Sequence, residues 1–259
     1  TPAALTHAML KKAFLKSPLE TSVNAFLINT GSRLVLVDTG AGAFFGPTLG
    51  KLVANLRAAG YQPAQVDDIL LTHMHPDHEG GLVASDQRVF PNATVHASKK
   101  DADFWLSEAN MDHATANSPD EPKNFFQDAI ASLKPYVDAG KVKWFDGDSE
   151  IVPGVTSLAT PGHTVGHTDY LVQSEGHKLL LIGDSIVVGA VQFKEPSVTV
   201  AYDMDPKAAM ASRAKSFARA AADGYLVGGD HVSFPGLGHI ATQGKGWKWI
   251  PVNYTNELP

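Results

Sequence analysis

Short apolar runs separated by glycine-containing turns recur along the chain, and stretches with helical periodicity lie between them. Residues 22–29 and 34–37 flank a turn at residues 30–32, which predicts a β-hairpin. Further strands are predicted at residues 67–72, around residue 95, and at 155–159, 170–172, 178–182, 225–227 and 247–252. Apolar residues at helical spacing predict helices at residues 3–15, 48–59, 99–105, 122–138 and 206–222.

Polar residues add detail to two of the predicted helices and predict one further segment. Ser98 and Asp101 resemble a capping box at the start of the helix that runs through Trp105. Residues 109–121 carry no apolar periodicity and predict a long loop, a type of segment that often forms a lid or the wall of a site. The helix after residue 205 is predicted to present a solvated face, which carries Arg213, Lys215 and Arg219.

The two halves of the chain repeat one order of elements, in which strands are followed by helices. No Pro/Ser-rich linker separates them. The pattern therefore predicts a single α/β domain over residues 1–259, with two sheets packed face to face and helices outside.

The composition argues against several classes of partner and of site. The net charge is −6 and the basic residues are scattered, which argues against nucleic acid or an anionic membrane as a partner. Cysteine is absent, so disulfides, thiolate zinc sites and cysteine nucleophiles are excluded. No signal peptide and no apolar run of about 20 residues is visible. The chain begins at Thr1 rather than Met, and we expect that an N-terminal segment has been removed.

Residues 72–81 carry the strongest chemical signal: they read THMHPDHEGG and directly follow the apolar run 69–71. Four ligand-type side chains fall within six positions, namely His73, His75, Asp77 and His78. A backbone that leaves a buried strand and turns sharply at the glycine pair can aim all four at one point. Imidazole nitrogens with a carboxylate oxygen suit a borderline cation such as zinc. The loop therefore predicts a metal site, and one without cysteine is typical of a catalytic rather than a structural metal.

Ligand-type residues also occur where three later strands end near a glycine, at His163, Asp184 and His231. If these strand ends converge on one edge, seven ligand-type side chains meet there, more than the roughly four that one zinc ion takes. The pattern therefore predicts two divalent cations. Zinc is the default, and manganese, cobalt or iron are alternatives.

We expect the ligands to divide between the two cations, with Asp184 bridging them. The first cation would be held by His73, His75 and His163. The second would be held by Asp77, His78 and His231. Spacing alone leaves His167 open as an alternative to His163, and His239 as an alternative to His231.

The order HxHxDH, Gly-His163, Gly-Asp184 and His231 resembles the metallo-β-lactamase superfamily, and VDTG at residues 37–40 extends the resemblance to essentially the whole chain. The resemblance implies an αβ/βα four-layer sandwich with a dinuclear site at the edge of two packed sheets. The order of the ligands in that family favours His163 and His231 over their alternatives. Asp38 is expected to hold a ligand imidazole by its second nitrogen.

Within that superfamily, longer stretches resemble methyl parathion hydrolase and its relatives. They are PLETSV at 18–23, FGPTLG at 45–50, ADFWLS at 102–107, AVQF at 190–193, FPGLGH at 234–239 and PVNY at 251–254. This resemblance implies a secreted or periplasmic homodimer whose substrate pocket is lined by Phe45, Trp105 and Phe125. Two features depart from it. The strands that such proteins carry before the region matching residues 1–20 are missing, and Asp230 stands beside His231 where a small residue is expected.

Metal-assisted hydrolysis is the expected chemistry. Two cations would lower the pKa of a shared water toward neutrality. The bridging hydroxide would then attack phosphorus or a carbonyl carbon, with Asp184 and Asp77 as the catalytic carboxylates. A mostly apolar pocket suits a small neutral substrate: an organophosphate triester of the methyl parathion type, an aryl ester or a lactone. One alternative is a lactonase or arylesterase with only promiscuous phosphotriesterase activity. Others are a thioesterase resembling glyoxalase II and, outside the enzymes, a non-catalytic zinc-binding scaffold.

Overall fold

The computed structural model describes residues 3–117 and 123–253, and the first half of the chain builds one of its two large sheets. The strands of this half are β1 (Phe26–Asn29), β2 (Leu34–Val37), β3 (Asp68–Leu70), β4 (Val83–Ala84), β5 (Gln87–Arg88), β6 (Thr94–Ser98) and β7 (Val142–Phe145). Five of them pair in the order β1-β2-β3-β6-β7, while β4 and β5 form a small hairpin. Strand β1 is antiparallel to β2, and β2, β3, β6 and β7 are parallel.

The second half of the chain builds a seven-stranded sheet. Its strands are β8 (Ser149–Val152), β9 (Val155–Ala159), β10 (Thr168–Ser174), β11 (His177–Leu181), β12 (Leu226–Gly228), β13 (Leu237–Gln243) and β14 (Gly246–Pro251). They pair in reverse chain order, from β14 to β8. Strands β11 and β12 are parallel, and the other neighbours are antiparallel.

Eight helices lie among the residues that the structure describes. They are α1 (Ala3–Lys12), α2 (Leu52–Ala58), α3 (Pro76–Glu79), α4 (Lys99–Trp105), α5 (Glu108–Asn117), α6 (Lys123–Asp138), α7 (Gly189–Gln192) and α8 (Pro206–Asp223). Short 3-10 turns occupy Pro63–Gln65, Gly80–Leu82 and Gly183–Ser185. Among the residues that the structure describes, no helix is long and apolar enough to cross a membrane.

Three apolar clusters define four layers. Between the sheets, Val37 and Leu70 pack with Tyr170 and Leu181. Outside the first sheet, its strands pack against α2, α4 and α6, and outside the second sheet Leu180 packs against Phe217 of α8. This arrangement confirms the predicted αβ/βα sandwich.

Most of the predicted elements are present, but the loop predicted at residues 109–121 is wrong. Residues up to Asn117 belong to α5, and residues 118–122 lie outside the described residues. This helix has little apolar periodicity, and it packs beside α4 and α6 at the edge of the fold. A pattern search misses such a helix because tertiary packing, rather than an apolar stripe, stabilises it. The pattern also gave no signal for strands β4, β5, β7, β8 and β13.

Two side-chain predictions are also wrong. Ser98 makes no capping hydrogen bond at the start of α4, and the Asp101 carboxylate instead accepts hydrogen bonds from other segments. Arg213 is buried rather than solvated, and its guanidinium donates to the carbonyl oxygens of Ser185, Pro196 and Val198. Three carbonyl acceptors offset the cost of burying this charge, and they fix the segment that follows Asp184.

Candidate metal centre

The carboxyl ends of two pairs of parallel strands meet where the two sheets pack. Asp38 follows β2 and the 71–78 loop follows β3, while Asp184 follows β11 and His231 follows β12. Because parallel strands end at the same edge of a sheet, each pair of strands brings its polar residues together. His163, between the antiparallel β9 and β10, reaches the same edge because β10 begins where β11 ends.

The conformation of residues 71–78 is fixed by Pro76 and by the glycine pair that follows, Gly80 and Gly81. His75 is the extended N-cap of α3, and Pro76 occupies the first helical turn, where its missing N–H costs nothing. His73 and His75 therefore precede the helix, while Asp77 and His78 lie on it. The glycines are needed for close approach rather than for a positive φ, because a Cβ on Gly81 would collide with the Thr39 backbone.

The seven predicted ligands lie in one buried cluster. Their ligand atoms fall into groups in which all atoms lie within 4.8 Å of one another. These groups are His73/His75/His163, Asp77/His78/His231 and His73/His78/Asp184. The proximity is what the hypothesis requires, and the binding of metal by these residues stays a prediction.

Asp184 lies between the first two groups and offers one carboxylate oxygen to each. Its Oδ2 is 3.1 Å from His163 Nε2 and 4.0 Å from His73 Nε2. Its Oδ1 is 3.1 Å from His78 Nε2 and 3.2 Å from His231 Nε2. The carboxylate thus has the placement of a bridging ligand.

The donor atoms fit divalent cations. Three of them, His73 Nε2, His78 Nε2 and Asp184 Oδ1, are buried and have no hydrogen-bond partner among the described residues. Burial and the neighbouring imidazoles hold the pKa of His73 well below its ordinary value, which favours the neutral ring that a metal needs. Burial raises the pKa of Asp184, but the adjacent His231, His78 and His163 outweigh burial and leave that pKa well below its usual range. A set of imidazole nitrogens and carboxylate oxygens is typical of zinc, manganese, cobalt or iron sites.

Behind the first group of predicted ligands lie one carboxylate, one hydroxyl and two aromatic rings. Asp203 Oδ1 is 2.9 Å from His163 Nδ1, and Thr72 Oγ1 is 3.0 Å from His73 Nδ1. Burial lowers the pKa of His163, but Asp184 and Asp203 outweigh it and raise that pKa to about 9. The sequence gave no sign of Asp203, which lies 40 residues from its partner in a segment without a motif.

Behind the second group lie two carboxylates that share one imidazole. Asp38 Oδ2 is 2.9 Å from His78 Nδ1, and Asp230 Oδ2 is 3.3 Å from the same nitrogen. Asp38 has a φ of +56°, a left-handed conformation that Asp tolerates better than most residues, and it also accepts from the Thr72 N–H and hydroxyl. Asp230 is fully buried, and burial raises its pKa well above the ordinary value. The unexpected Asp230 therefore lies behind His78, beside Asp38.

Asp101 connects the two loops that carry the first group of ligands. Its Oδ2 accepts from the N–H of Met74 at 3.0 Å and from Thr164 Oγ1 at 2.8 Å, and its Oδ1 accepts from the N–H of Gly166 at 2.6 Å. Burial raises the pKa of Asp101 to about 6. The sequence pattern assigned this carboxylate to helix capping, so its actual role was missed.

The two alternative ligands lie outside the cluster. His167 is buried behind Asp184, and both of its ring nitrogens have hydrogen-bond partners within the protein. His239 lies on β13, where its Nδ1 is 2.9 Å from the carbonyl oxygen of Tyr225. The structure therefore places His163 and His231, rather than these two residues, with the other ligand-type side chains.

Two of the three predicted pocket aromatics lie against the cluster. The rings of Trp105 and Phe125 each lie 5.2 Å from that of His75, and Phe125 stacks on Tyr202 at 6.2 Å. Tyr202 is 59% exposed and was not anticipated, because nothing in its sequence neighbourhood marks it. Phe45 is 47% exposed in a loop whose residues Gly46 and Pro47 line a separate cavity of about 560 Å³. Its role in a pocket stays a prediction.

The chain is similar to known proteins over most of its length. The profile of the Metallo-beta-lactamase superfamily matches residues 19–231. The solved structure of AbOPH, a hydrolase of the beta lactamase superfamily, is 37% identical with a TM-score of 0.92, and the match covers 99% of this chain and 89% of that one. AidC, a dizinc quorum-quenching lactonase solved with its product N-hexanoyl-L-homoserine, is 30% identical with a TM-score of 0.90, covering 99% and 88%.

A curated relative aligns over part of its length. An N-acyl homoserine lactonase from Bacillus sp. is 28% identical over 188 residues, which are 64% of this chain and 65% of the relative. The chain thus spans just under two thirds of that lactonase.

Proposed function

The chain belongs to the metallo-β-lactamase superfamily, and from this we propose that it is a metal-dependent hydrolase that opens lactones at a centre of two divalent cations, zinc by default. The proposal includes the expected division of ligands between the cations. His73, His75 and His163 would hold one cation, and Asp77, His78 and His231 the other.

The observation that carries the proposal is the division of the Asp184 carboxylate. Its two oxygens face different sets of imidazoles, each at 3.1 Å from the nearest ring nitrogen. A site for a single tetrahedral zinc would need only about four of the seven side chains. Two cations that share the Asp184 carboxylate would use all seven side chains.

When bound, two such cations would lower the pKa of a shared water and polarise the carbonyl oxygen of an ester. The side chains of this chain would do the remaining work. Asp184 would fix the spacing of the two halves of the site, and Asp77, the most exposed of the ligand carboxylates with a 22% exposed side chain, would face the entering substrate. Phe125 and Trp105 beside His75 would exclude water from the acyl part of that substrate.

The comparisons support lactones more directly than the organophosphate triesters expected from the sequence. Two of the relatives compared above are lactonases by name, one of them with an acyl-homoserine product bound. Lactones and phosphotriesters are both neutral, so the apolar wall beside His75 suits either one. We therefore take N-acyl homoserine lactones as the first substrate class to test, with promiscuous phosphotriester hydrolysis as a secondary activity.

The test combines metal analysis with initial rates on three substrates: N-hexanoyl-L-homoserine lactone, a p-nitrophenyl phosphotriester and a glutathione thioester. We expect two metal ions per chain and the highest kcat/KM on the lactone. Asp184→Ala should reduce lactone hydrolysis to background, whereas Asp146→Ala, at an exposed carboxylate, should leave it unchanged. Parental rates in Asp184→Ala would contradict the bridged centre, and a preference for the thioester would replace the lactonase by a glyoxalase II-like enzyme.

A further inference from the structure

His167 lies directly behind the residue that bridges the two halves of the cluster. Its ring is 1% exposed, and its Nε2 is 3.0 Å from the backbone nitrogen of Asp184. A backbone N–H can only donate, so His167 Nε2 must be the acceptor in this bond. The ring is therefore neutral, and its hydrogen is on Nδ1.

The position of that hydrogen fixes the direction of the next two bonds. His167 Nδ1 is 2.9 Å from Thr160 Oγ1, so the imidazole donates to the hydroxyl. The hydroxyl hydrogen of Thr160 is then free to donate to Asp169 Oδ1, 3.0 Å away. A directed chain thus runs from the Asp184 N–H through His167 and Thr160 to a buried carboxylate.

Asp169 holds the far end of the chain in place. It is fully buried, and its two oxygens also accept from Ser185 Oγ at 3.2 Å and Ser216 Oγ at 2.5 Å. These hydroxyls come from the segment after β11 and from α8. Because Asp169 lies on β10, its carboxylate ties both the segment after β11 and helix α8 to the second sheet.

The backbone before Asp184 lies against the His167 ring. Gly183 has a φ of +43°, and a Cβ at this residue would lie only 2.8 Å from His167 Nε2 and 2.9 Å from Thr72 Cβ. The peptide between Gly183 and Asp184 thus has little freedom to tilt.

We propose that His167 is a positioning residue that fixes the orientation of Asp184, so that each carboxylate oxygen faces one half of the metal centre. The inference rests on the proposed two-cation function. It assigns the second histidine of the segment TPGHTVGH to the support of a bridging ligand rather than to metal binding.

The test compares two substitutions with different hydrogen-bonding ability. His167→Leu removes the acceptor, whereas His167→Gln provides a side-chain carbonyl that can accept from the Asp184 N–H. We expect His167→Leu to lower kcat on the lactone by about 10- to 100-fold with KM nearly unchanged, the usual effect of removing an outer partner of a ligand. His167→Gln should recover most of this loss, and Thr160→Val should show a smaller loss.

A spectroscopic measurement separates positioning from general stability. In the manganese-loaded protein, the magnetic coupling between the two ions depends on the bridging carboxylate, and we expect His167→Leu to weaken it while two ions remain bound. His239→Leu, which removes an imidazole that is exposed and lies outside the cluster but also hydrogen-bonds within the protein, should leave kcat and the coupling unchanged. If His167→Leu lowered only the Tm, or if it lost one cation that His167→Gln did not restore, the proposal would be overturned.

A measurement on the unaltered chain covers the case in which the variants do not fold. Nitrogen-15 NMR of the histidine rings should show His167 protonated on Nδ1 and not on Nε2. The opposite tautomer would refute the inference. This readout does not depend on lactone turnover, so it remains valid if the chain hydrolyses a different ester, and the metal content of the parent tests the proposed function separately.

Discussion

The two halves of the proposed metal centre share Asp184 but differ in what lies behind their predicted ligands. Behind the first half, one carboxylate, Asp203, contacts His163, and the rings of Trp105 and Phe125 surround His75. The second half contains a carboxylate ligand of its own, Asp77. Behind it, Asp38 and Asp230 both approach His78.

This difference indicates a division of labour. In a buried site of low dielectric, a carboxylate that binds a cation directly attracts it more strongly than an imidazole does. Only the second half has such a predicted ligand of its own, Asp77, so we expect this half to retain its cation more firmly. Apart from its share of Asp184, the first half has only imidazoles as predicted ligands, and it borders the aromatic wall, so we expect its cation to exchange more readily and to lie nearer the apolar part of the substrate. The predictions below test this asymmetry, from the largest expected effect to the smallest.

Graded chelation should give the largest effect. When the protein is dialysed against increasing chelator, we expect one equivalent of metal to leave before the other, with nearly all lactone hydrolysis lost at the first step. The physical reason is that the half that includes Asp77 holds its cation longer, while the proposed catalysis needs both cations. Metal content and rate are measured on the same samples. Simultaneous loss of both equivalents would show that the halves do not differ.

Removing the charge of Asp38 should weaken the second half. Asp38→Asn keeps a residue that tolerates φ +56° but loses one acceptor shared by His78 and Thr72. Loss of an outer carboxylate usually costs about 10- to 100-fold in metal affinity or activity. Competition with a fluorescent chelator should therefore show this loss for the more tightly bound equivalent. Asp146→Asn is the control, and an unchanged affinity in Asp38→Asn would remove the basis of the asymmetry.

The sequence predicted those residues of the site that form a short motif or directly follow a predicted strand. Four of the predicted ligands stand within six residues and the other three follow strand ends, so pattern and resemblance together predicted side chains that the structure places in one cluster. Asp203, Asp101 and Tyr202 could not be found in this way, because each contacts the cluster only after distant segments fold together. Similarly, the hairpins and amphipathic helices were predicted from periodicity, whereas α5 packs at an edge without an apolar stripe.

Asp203→Asn should affect the first half, with a smaller loss than Asp38→Asn. Asp203 contacts one imidazole and also accepts from the N–H of Val200, so part of its structural role survives in the amide. We expect the affinity for the weaker equivalent of metal to fall about tenfold, the lower limit of the usual effect of removing an outer partner of a ligand. The affinity for the tighter equivalent should not change. The same competition assay measures both. If Asp203→Asn weakened the tighter equivalent instead, the more firmly held cation would belong to the first half.

The smallest expected effect concerns the aromatic wall of the first half. Phe125 contacts His75 and stacks on the half-exposed Tyr202, and an aromatic pair contributes about 0.5–1.5 kcal/mol beyond the area that it buries. Phe125→Leu should therefore raise KM for a long-chain acyl lactone by about two- to tenfold and leave kcat and metal content unchanged, because it removes binding that is equal in the ground and transition states. Phe45→Leu is the matched comparison, since Phe45 is another half-exposed aromatic predicted to line the pocket but located beside a separate cavity. An equal rise in KM for both variants would extend the substrate pocket to the 43–50 loop, and a rise for Phe45→Leu alone would place the acyl group away from the first half.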